Sequence, residues 1–338
     1  MAALPHMLRY SSQDEPGLTR VRRGRGFSYH DAEGNRIADP DILTRIRSLG
    51  LPPAYKDVWI CADAQGHLQA AGTDARGRRQ YRYHTEWRAF RDARKFEQLD
   101  PFGRKLPRLR ERVDQDLRRN RPDRDQVCAA LVRLIDRTAL RVGSERYARD
   151  NSTYGATTLR SRHLQLEKDR LRLSFTAKGR ERVRKQMKDQ TLARVIERLD
   201  DLPGARIFSY LGDDGSCQPV LSDDVNRYIA EATGESGMTA KTFRTWHGTL
   251  AALEKAVTTT DGLTIKNLSE AAAQRLHNSP AIARSSYIHP AVIALTEMDD
   301  AERKARLDGL DLRRAPNRSP TQEKRLLSLL SQGSECEG

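Results

Sequence analysis

Gln80, Tyr81 and Tyr83 come directly after Arg78 and Arg79 in the run Arg-Arg-Gln-Tyr-Arg-Tyr. A strip that is polar, aromatic and basic at once can reach both base edges and phosphates. Tyr81 and Tyr83 have the same parity, so on a strand they face one side. Lys241 stands three residues before Arg244, on the same helical face where a helix covers both. Arg141 follows an apolar run and precedes Val142-Gly143, and Arg244 adjoins Phe243, so both arginines belong near packed structure. Lys178 closes a segment of alternating polarity, where a loop can reach into a groove. Tyr287 taken alone reads as a core or interface tyrosine. The basic stretch Arg104–Arg124 reads as general phosphate attraction or a solvated face.

Charge and absent motifs narrow the chemistry. Lys and Arg number 60 against 46 Asp and Glu, a formal net charge of +14. That excess points to a polyanionic partner, nucleic acid first among them. There is no GxxxxGK[ST] phosphate loop, no carboxylate pattern for two metals and no GxSxG elbow. The expectation is therefore no nucleotide cofactor and no metal. A protein that works on DNA phosphates in that way must meet their charge with its own side chains. Arginine does this best, because its planar fork donates two hydrogen bonds to phosphate oxygens. Cys61, Cys128, Cys217 and Cys336 are scattered, with no CxxC pair, which fits a reducing compartment. No apolar run is long enough to span a membrane, and the opening MAALPHMLRYSS has no signal-peptide pattern. The expected location is the cytoplasm, at the nucleoid.

The elements that must position these residues follow from periodicity. Residues 1–90 read as a small β-rich N-terminal domain, with Gly-rich turns and strand-like runs such as Asp57-Val58-Trp59-Ile60. Residues 85–98 read as a helix leading into a second domain, 91–338. Pro107 and Pro122 predict that the basic stretch is broken rather than one long helix. Helical periodicity resumes from Val127, and residues 163–177 alternate as a β-hairpin around Glu167-Lys168-Asp169. Helices are expected near 188–200, 222–233 and 240–256, the last with Thr239 as N-cap and Phe243, Trp246, Leu250 and Leu253 on one face. Ser279-Pro280 predicts a short helix to Tyr287, and Pro290 a break after it. Residues 299–338 read as a helix or two and a loose tail over about 331–338. The fold class expected is α+β: the β-rich N-terminal domain, then a larger, mainly α domain with an embedded small sheet.

Several of these segments together resemble the compact type IB topoisomerases of bacteria and poxviruses. Residues 50–60 (GLPPAYKDVWI) look like the N-terminal signature, and Gln80-Tyr81-Arg82-Tyr83 like the DNA-contacting segment. Ala139-Leu140-Arg141-Val142-Gly143, Phe175-Thr176-Ala177-Lys178-Gly179, Lys241-Thr242-Phe243-Arg244-Thr245 and Ser285-Ser286-Tyr287-Ile288 are similar to the segments bearing the catalytic groups. Each match is short, but their joint order and spacing are specific. The resemblance implies that Tyr287 attacks a backbone phosphorus to form a 3′-phosphotyrosine. It implies that Arg141 and Arg244 bind the non-bridging oxygens and that Lys178 protonates the leaving 5′-oxygen. Arg79, Gln80, Tyr81, Tyr83 and Lys241 are the DNA-binding residues it implies. Many members carry His nine residues before the nucleophile, a position that falls here on Asn278. Asn can donate a hydrogen bond to a phosphate oxygen but cannot supply charge. On a helix, adjacent side chains point about 100° apart, so Asn278 is assigned to the site and His277 to structure or the rim. His289 is read as local packing before Pro290.

The resemblance further implies a monomer whose two domains clamp double-stranded DNA, cut one strand, let it rotate and reseal it without ATP. A tyrosine recombinase is the nearest rival, but recombinases usually carry HxxR where this chain has Lys241-x-x-Arg244. A non-enzymatic DNA-binding protein is the other rival, and it predicts no tyrosine adduct.

Overall fold

In the computed structural model, which describes residues 7–334 except 203, 205 and 213, the chain divides into two compact units, Met1–Arg94 and Lys95–Gly338. Cys336 lies outside the described residues. The first unit holds a five-stranded antiparallel sheet. Its strands are β1 (Gly17–Arg23), β2 (Gly26–His30), β3 (Lys56–Cys61), β4 (Leu68–Thr73) and β5 (Arg79–Tyr83), in the order β2-β1-β3-β4-β5. Strand periodicity sends Val58 and Ile60 to one side and Trp59 and Cys61 to the other. The first side packs with Leu18, Ala70 and Ile46 of α1 (Pro40–Ser48), and the second with Leu68 and Ala71. Pro40 opens α1 and the Asp39 carboxylate accepts from the Asp41 and Ile42 amides at 2.8 and 3.2 Å, satisfying the free first-turn donors. β5 is an edge strand.

The division falls within α2 (Thr85–Glu97). The larger unit then runs through α3 (Leu99–Leu117), α4 (Arg124–Thr138), α5 (Glu145–Asn151), β6 (Leu164–Glu167), β7 (Arg170–Thr176), β8 (Arg182–Lys188) and α6 (Gln190–Asp200). It continues with β9 (Ser209–Leu211), β10 (Cys217–Pro219), α7 (Ser222–Thr233), α8 (Ala240–Thr258), α9 (Ile265–Leu276) and α10 (Pro280–Tyr287). The chain closes with α11 (Pro290–Ile293), α12 (Asp300–Asp308) and α13 (Thr321–Ser334). The class is α+β. α3, α4 and α8 enclose one continuous core in which Phe102 meets Phe243 and Trp246 edge-on, at 5.0 and 6.0 Å between ring centroids.

Three sequence expectations need correction. Pro107 does not break its helix: α3 is continuous through it. An internal proline costs about 3 kcal/mol, but α3 buries Leu99, Phe102, Leu106, Leu109, Val113 and Leu117 on one side, each worth roughly 1.5–3 kcal/mol. Packing therefore wins. The carbonyl that loses its partner belongs to Gly103, where a Cβ would lie 2.3 Å from the Trp246 ring. The break comes where Pro122 precedes Asp123, whose carboxylate caps α4 through the Gln126 amide at 2.8 Å. The hairpin at 163–177 is the first part of a three-stranded sheet, β6-β7-β8, because Val183 and Met187 continue the alternation on β8. The tail is not loose from 331: α13 runs to Ser334 and buries Leu326, Leu327, Leu329 and Leu330. Its Glu323 also accepts two hydrogen bonds from Arg110, each 2.8 Å. Among the described residues no helix is long and apolar enough to cross a membrane.

Candidate active site

Arg244 sits in the first two turns of α8, where the Thr239 amide donates to Thr242 Oγ1 at 3.1 Å. Its side chain is buried and held by backbone carbonyls at two helix ends. Nη1 donates to Ala139 O at 2.5 Å and Nη2 to Leu276 O at 3.1 Å. α4 ends at Ala139 in the left-handed conformation, and Leu276 is the last residue of α9. Both C-termini carry negative dipole ends that suit a guanidinium. A guanidinium has five N–H donors, so Nε–H and the second hydrogen of each Nη remain after those two bonds. Burial and the like charge of Arg141 pull the Arg244 pKa down to about 10, which leaves it cationic at neutral pH.

Tyr287 ends α10, whose first turn is capped by Ser279 Oγ accepting from the Ile282 amide at 3.4 Å. Its backbone is splinted to α8. Thr249 Oγ1 donates to Tyr287 O and accepts from the His289 amide, both at 3.1 Å. Gly248 permits this approach, since a Cβ there would come 2.8 Å from Tyr287 O. The half-buried phenol ring lies 5.1 Å from the Arg244 guanidinium carbon. Burial pushes its pKa up, but the charges of Arg244, Arg141 and Lys241 and a hydrogen bond from Arg244 outweigh that, so it lies below the ordinary tyrosine value. Lys241 is exposed on α8, one turn before Arg244.

Arg141 follows α4 in a loop pinned by two backbone bonds, Ala156 N–H to Arg141 O at 2.9 Å and Thr157 N–H to Val142 O at 2.7 Å. Arg141 Nη2 donates to Asn278 Oδ1. Asn278 Nδ2 and His277 Nε2 are buried without a partner among the described residues. The helical argument for separating His277 from Asn278 is corrected here. His277 is the left-handed C-cap of α9 (φ 49°) and Asn278 lies in the link to α10. Asn278 is the one bonded to Arg141, while His277 also feels the charges of Arg244 and Arg141. Burial, then the charge of Lys185, keeps the His277 pKa below its usual value.

Lys178 is exposed in the turn between β7 and β8, which the Ala177 amide closes on Glu181 O at 2.8 Å. The charge of Glu181 in that turn is felt at Arg141. A second lysine escaped the motif reading. Lys185 on β8 is half-buried, donates to Arg275 O at 3.3 Å, and has its pKa pulled down to about 8 by burial and by Arg275 and Arg244. Its signal was present, for it shares the parity of Val183 and Met187. Behind Arg244, His247 Nε2 lies 3.1 Å from Asp136 Oδ1, and Asp136 also accepts from Arg110 at 2.8 and 3.1 Å. His289 is a helix cap: Nδ1 accepts from the Ala291 amide at 3.0 Å, and burial pushes its pKa down to about 4.

In the first unit, Tyr81 and Tyr83 are exposed on β5 with ring centroids 6.3 Å apart. Arg79 donates to Asp57 O at 2.6 Å and to Gln13 at 3.0 Å, and Gln80 to Asp74 at 3.0 Å. Both polar side chains are thereby ordered beside the tyrosines.

Comparison with known proteins sets this geometry in a family. Residues 84–284 match the model of the eukaryotic DNA topoisomerase I catalytic core, and residues 26–74 that of the bacterial DNA topoisomerase IB N-terminal domain. The first match takes in Arg141, Lys178, Arg244 and Asn278 and stops short of Tyr287; the second stops short of Gln80–Tyr83. The DNA topoisomerase 1B of Acanthamoeba polyphaga mimivirus is 29% identical over 286 residues, covering 80% of this chain and 85% of that protein. That of vaccinia virus (strain Copenhagen) is 22% identical over 193 residues, 57% of each. The chain belongs to the type IB DNA topoisomerases. Within them it is of the compact viral and bacterial type.

Proposed function

We propose that Tyr287 is the nucleophile with which this enzyme, acting as a monomer, cuts and reseals one strand of duplex DNA. The observation that carries this is the Tyr287 phenol beside a buried Arg244 whose Nε has no hydrogen-bond partner among the described residues. The phenolate oxygen forms a bond to a backbone phosphorus, and the bond to the 5′-oxygen breaks. Arg244 and Arg141 stabilise the charge that grows on the non-bridging oxygens, an effect worth on the order of 10²–10³ in rate per donor. Asn278 holds Arg141 through Oδ1 and offers Nδ2 to the same phosphate. Gln80, Tyr81, Tyr83, Arg79 and Lys241 contact the duplex around the cut. The bond energy stays in the 3′-phosphotyrosine, so torsion rotates the free 5′ end and the 5′-hydroxyl reverses the reaction without ATP or a required metal.

Lys178 gives the leaving 5′-oxygen its proton. A second reading assigns that step to Lys185, and its lowered pKa of about 8 beside Arg275 and Arg244 favours it. The test of the main proposal is adduct formation with Tyr287→Phe. That variant should form no covalent DNA adduct while binding DNA nearly as well as the natural chain. An adduct that survives and maps to another tyrosine would overturn the assignment.

A further inference from the structure

Three of the large apolar or aromatic side chains most exposed to solvent, Tyr10, Tyr81 and Tyr83, lie in the first unit, at 45%, 44% and 39% exposure. Two of them line one cavity of about 480 Å³, with His67 and Trp87 as further aromatic walls and Arg88 and Arg91 beside them. Tyr10, His67 and Trp87 meet edge to face and His67 and Tyr83 are tilted at 47°, so no two of these rings are stacked on each other. Tyr10 stands 5.0 Å from His67 and 5.8 Å from Trp87, and His67 stands 4.9 Å from Trp87 and 6.0 Å from Tyr83. The Arg91 guanidinium lies 5.7 Å from the Trp87 ring. Asp92 is the single acid at the rim, against the two arginines. The cup continues the β5 ladder, because Tyr83 belongs to both and its ring is 6.3 Å from that of Tyr81.

This chemistry selects its occupant. A cationic ligand is repelled by Arg88 and Arg91. A purely apolar one leaves the rim with a net positive charge, two guanidiniums against the one Asp92 carboxylate. A nucleotide supplies both halves: a flat π-face for the rings and a phosphate for the arginines. The volume lies within the range of small-ligand sites. Burial also holds the His67 pKa below its usual value, so that ring presents as a neutral aromatic at neutral pH.

We infer that the cup formed by Tyr10, His67, Tyr83 and Trp87 binds one unpaired DNA base, with Arg88 and Arg91 on its flanking phosphates. The inference rests on the reading of Gln80–Tyr83 as a DNA-facing strip. A strand that runs along β5 places its next base at the cup. That base comes either from a single-stranded segment or by extrusion from the duplex.

The test is binding by fluorescence anisotropy, using the full chain with Tyr287→Phe to prevent covalent capture. The probes are a short oligothymidylate, an abasic oligomer of equal length and charge, a paired duplex, and the same duplex with one bulged thymidine. Oligothymidylate should bind on the order of tenfold more tightly than the abasic oligomer, the scale of one stacked base. Tyr10→Ala should reduce that ratio severalfold and leave abasic affinity unchanged, and Tyr10→Phe should keep it. Thermal melting of each variant verifies that it is folded. A Tyr10-dependent preference for the bulged duplex identifies extrusion as the source; a preference confined to the single strand identifies a single-stranded segment. Equal weakening of both oligomers by Tyr10→Ala, or no change in either, would overturn the inference. If Tyr81→Ala, which lies outside the cup, then still lowers the ratio, the DNA-facing reading of β5 survives and only the cup fails. If it does not, that reading fails as well.

Discussion

At the scale of single residues, the proton donor is the sharpest question. An alkoxide leaving group is about as basic as hydroxide, from water of pKa ~15.7, whereas a thiolate leaves from a thiol of pKa ~8.5. Replacing the bridging 5′-oxygen by sulfur removes most of the need for a proton. Lys178→Ala should therefore cleave ordinary DNA very slowly and the sulfur-bridged substrate near the natural rate in single-turnover assays. Lys185→Ala should slow both alike if it only sets the local charge. Selective sulfur rescue of Lys185→Ala, with equal slowing of both substrates by Lys178→Ala, would transfer the role to Lys185. Tyr287 makes a second prediction. Its pKa is held below the ordinary value of about 10, so the reactive phenolate becomes available as pH rises through a midpoint lower than that. Ultraviolet titration of the natural chain minus Tyr287→Phe should show the missing tyrosine ionising below pH ~10. A difference that titrates at or above that value would contradict the electrostatic account. Arg141, Arg244, Lys178 and Tyr287 were legible as motif residues because their chemistry and order are carried by side-chain identity. The Ala139 and Leu276 carbonyls that hold Arg244 were not, since every residue has a carbonyl and only the fold brings these two together.

At the scale of elements, the crossing of α8 and α10 positions Tyr287, the proposed nucleophile. Gly→Ala inside a helix usually stabilises by about 0.5–1 kcal/mol. At Gly248 the new Cβ would meet Tyr287 O at 2.8 Å and Tyr287 Cβ at 2.9 Å, so α10 must shift. Gly248→Ala should lower stability by about 1–3 kcal/mol. Because a misplacement of about 1 Å can cost 10²-fold, single-turnover cleavage should fall by at least tenfold. A higher melting temperature with unchanged cleavage would show that the crossing does not place Tyr287. Helices α7 and α8 were legible from their apolar periodicity and, for α8, from Thr239 ahead of it. Continuity of α3 through Pro107 was not, because it depends on burial against Trp246 and the rest of the core. β8 was overlooked because its inward Lys185 masks the apolar alternation. The helix of α13 was legible, but not its extent past 331 nor the Arg110 that pairs with Glu323, because Arg110 lies far away in sequence.

At the scale of the whole molecule, the +14 charge and the family together make an enzyme drawn to DNA by its field and selective through a few fixed groups. The proposed mechanism asks nothing of a nucleotide or a metal, since the phosphotyrosine conserves the energy of the broken bond and Arg141 and Arg244 provide the positive charge. The measurement that tests this most directly is relaxation of supercoiled plasmid in excess EDTA without ATP, with the natural chain and with Tyr287→Phe. The natural chain should relax positive and negative supercoils alike, and Tyr287→Phe should relax neither. Strict dependence on Mg²⁺, or relaxation that persists in Tyr287→Phe, would contradict the account.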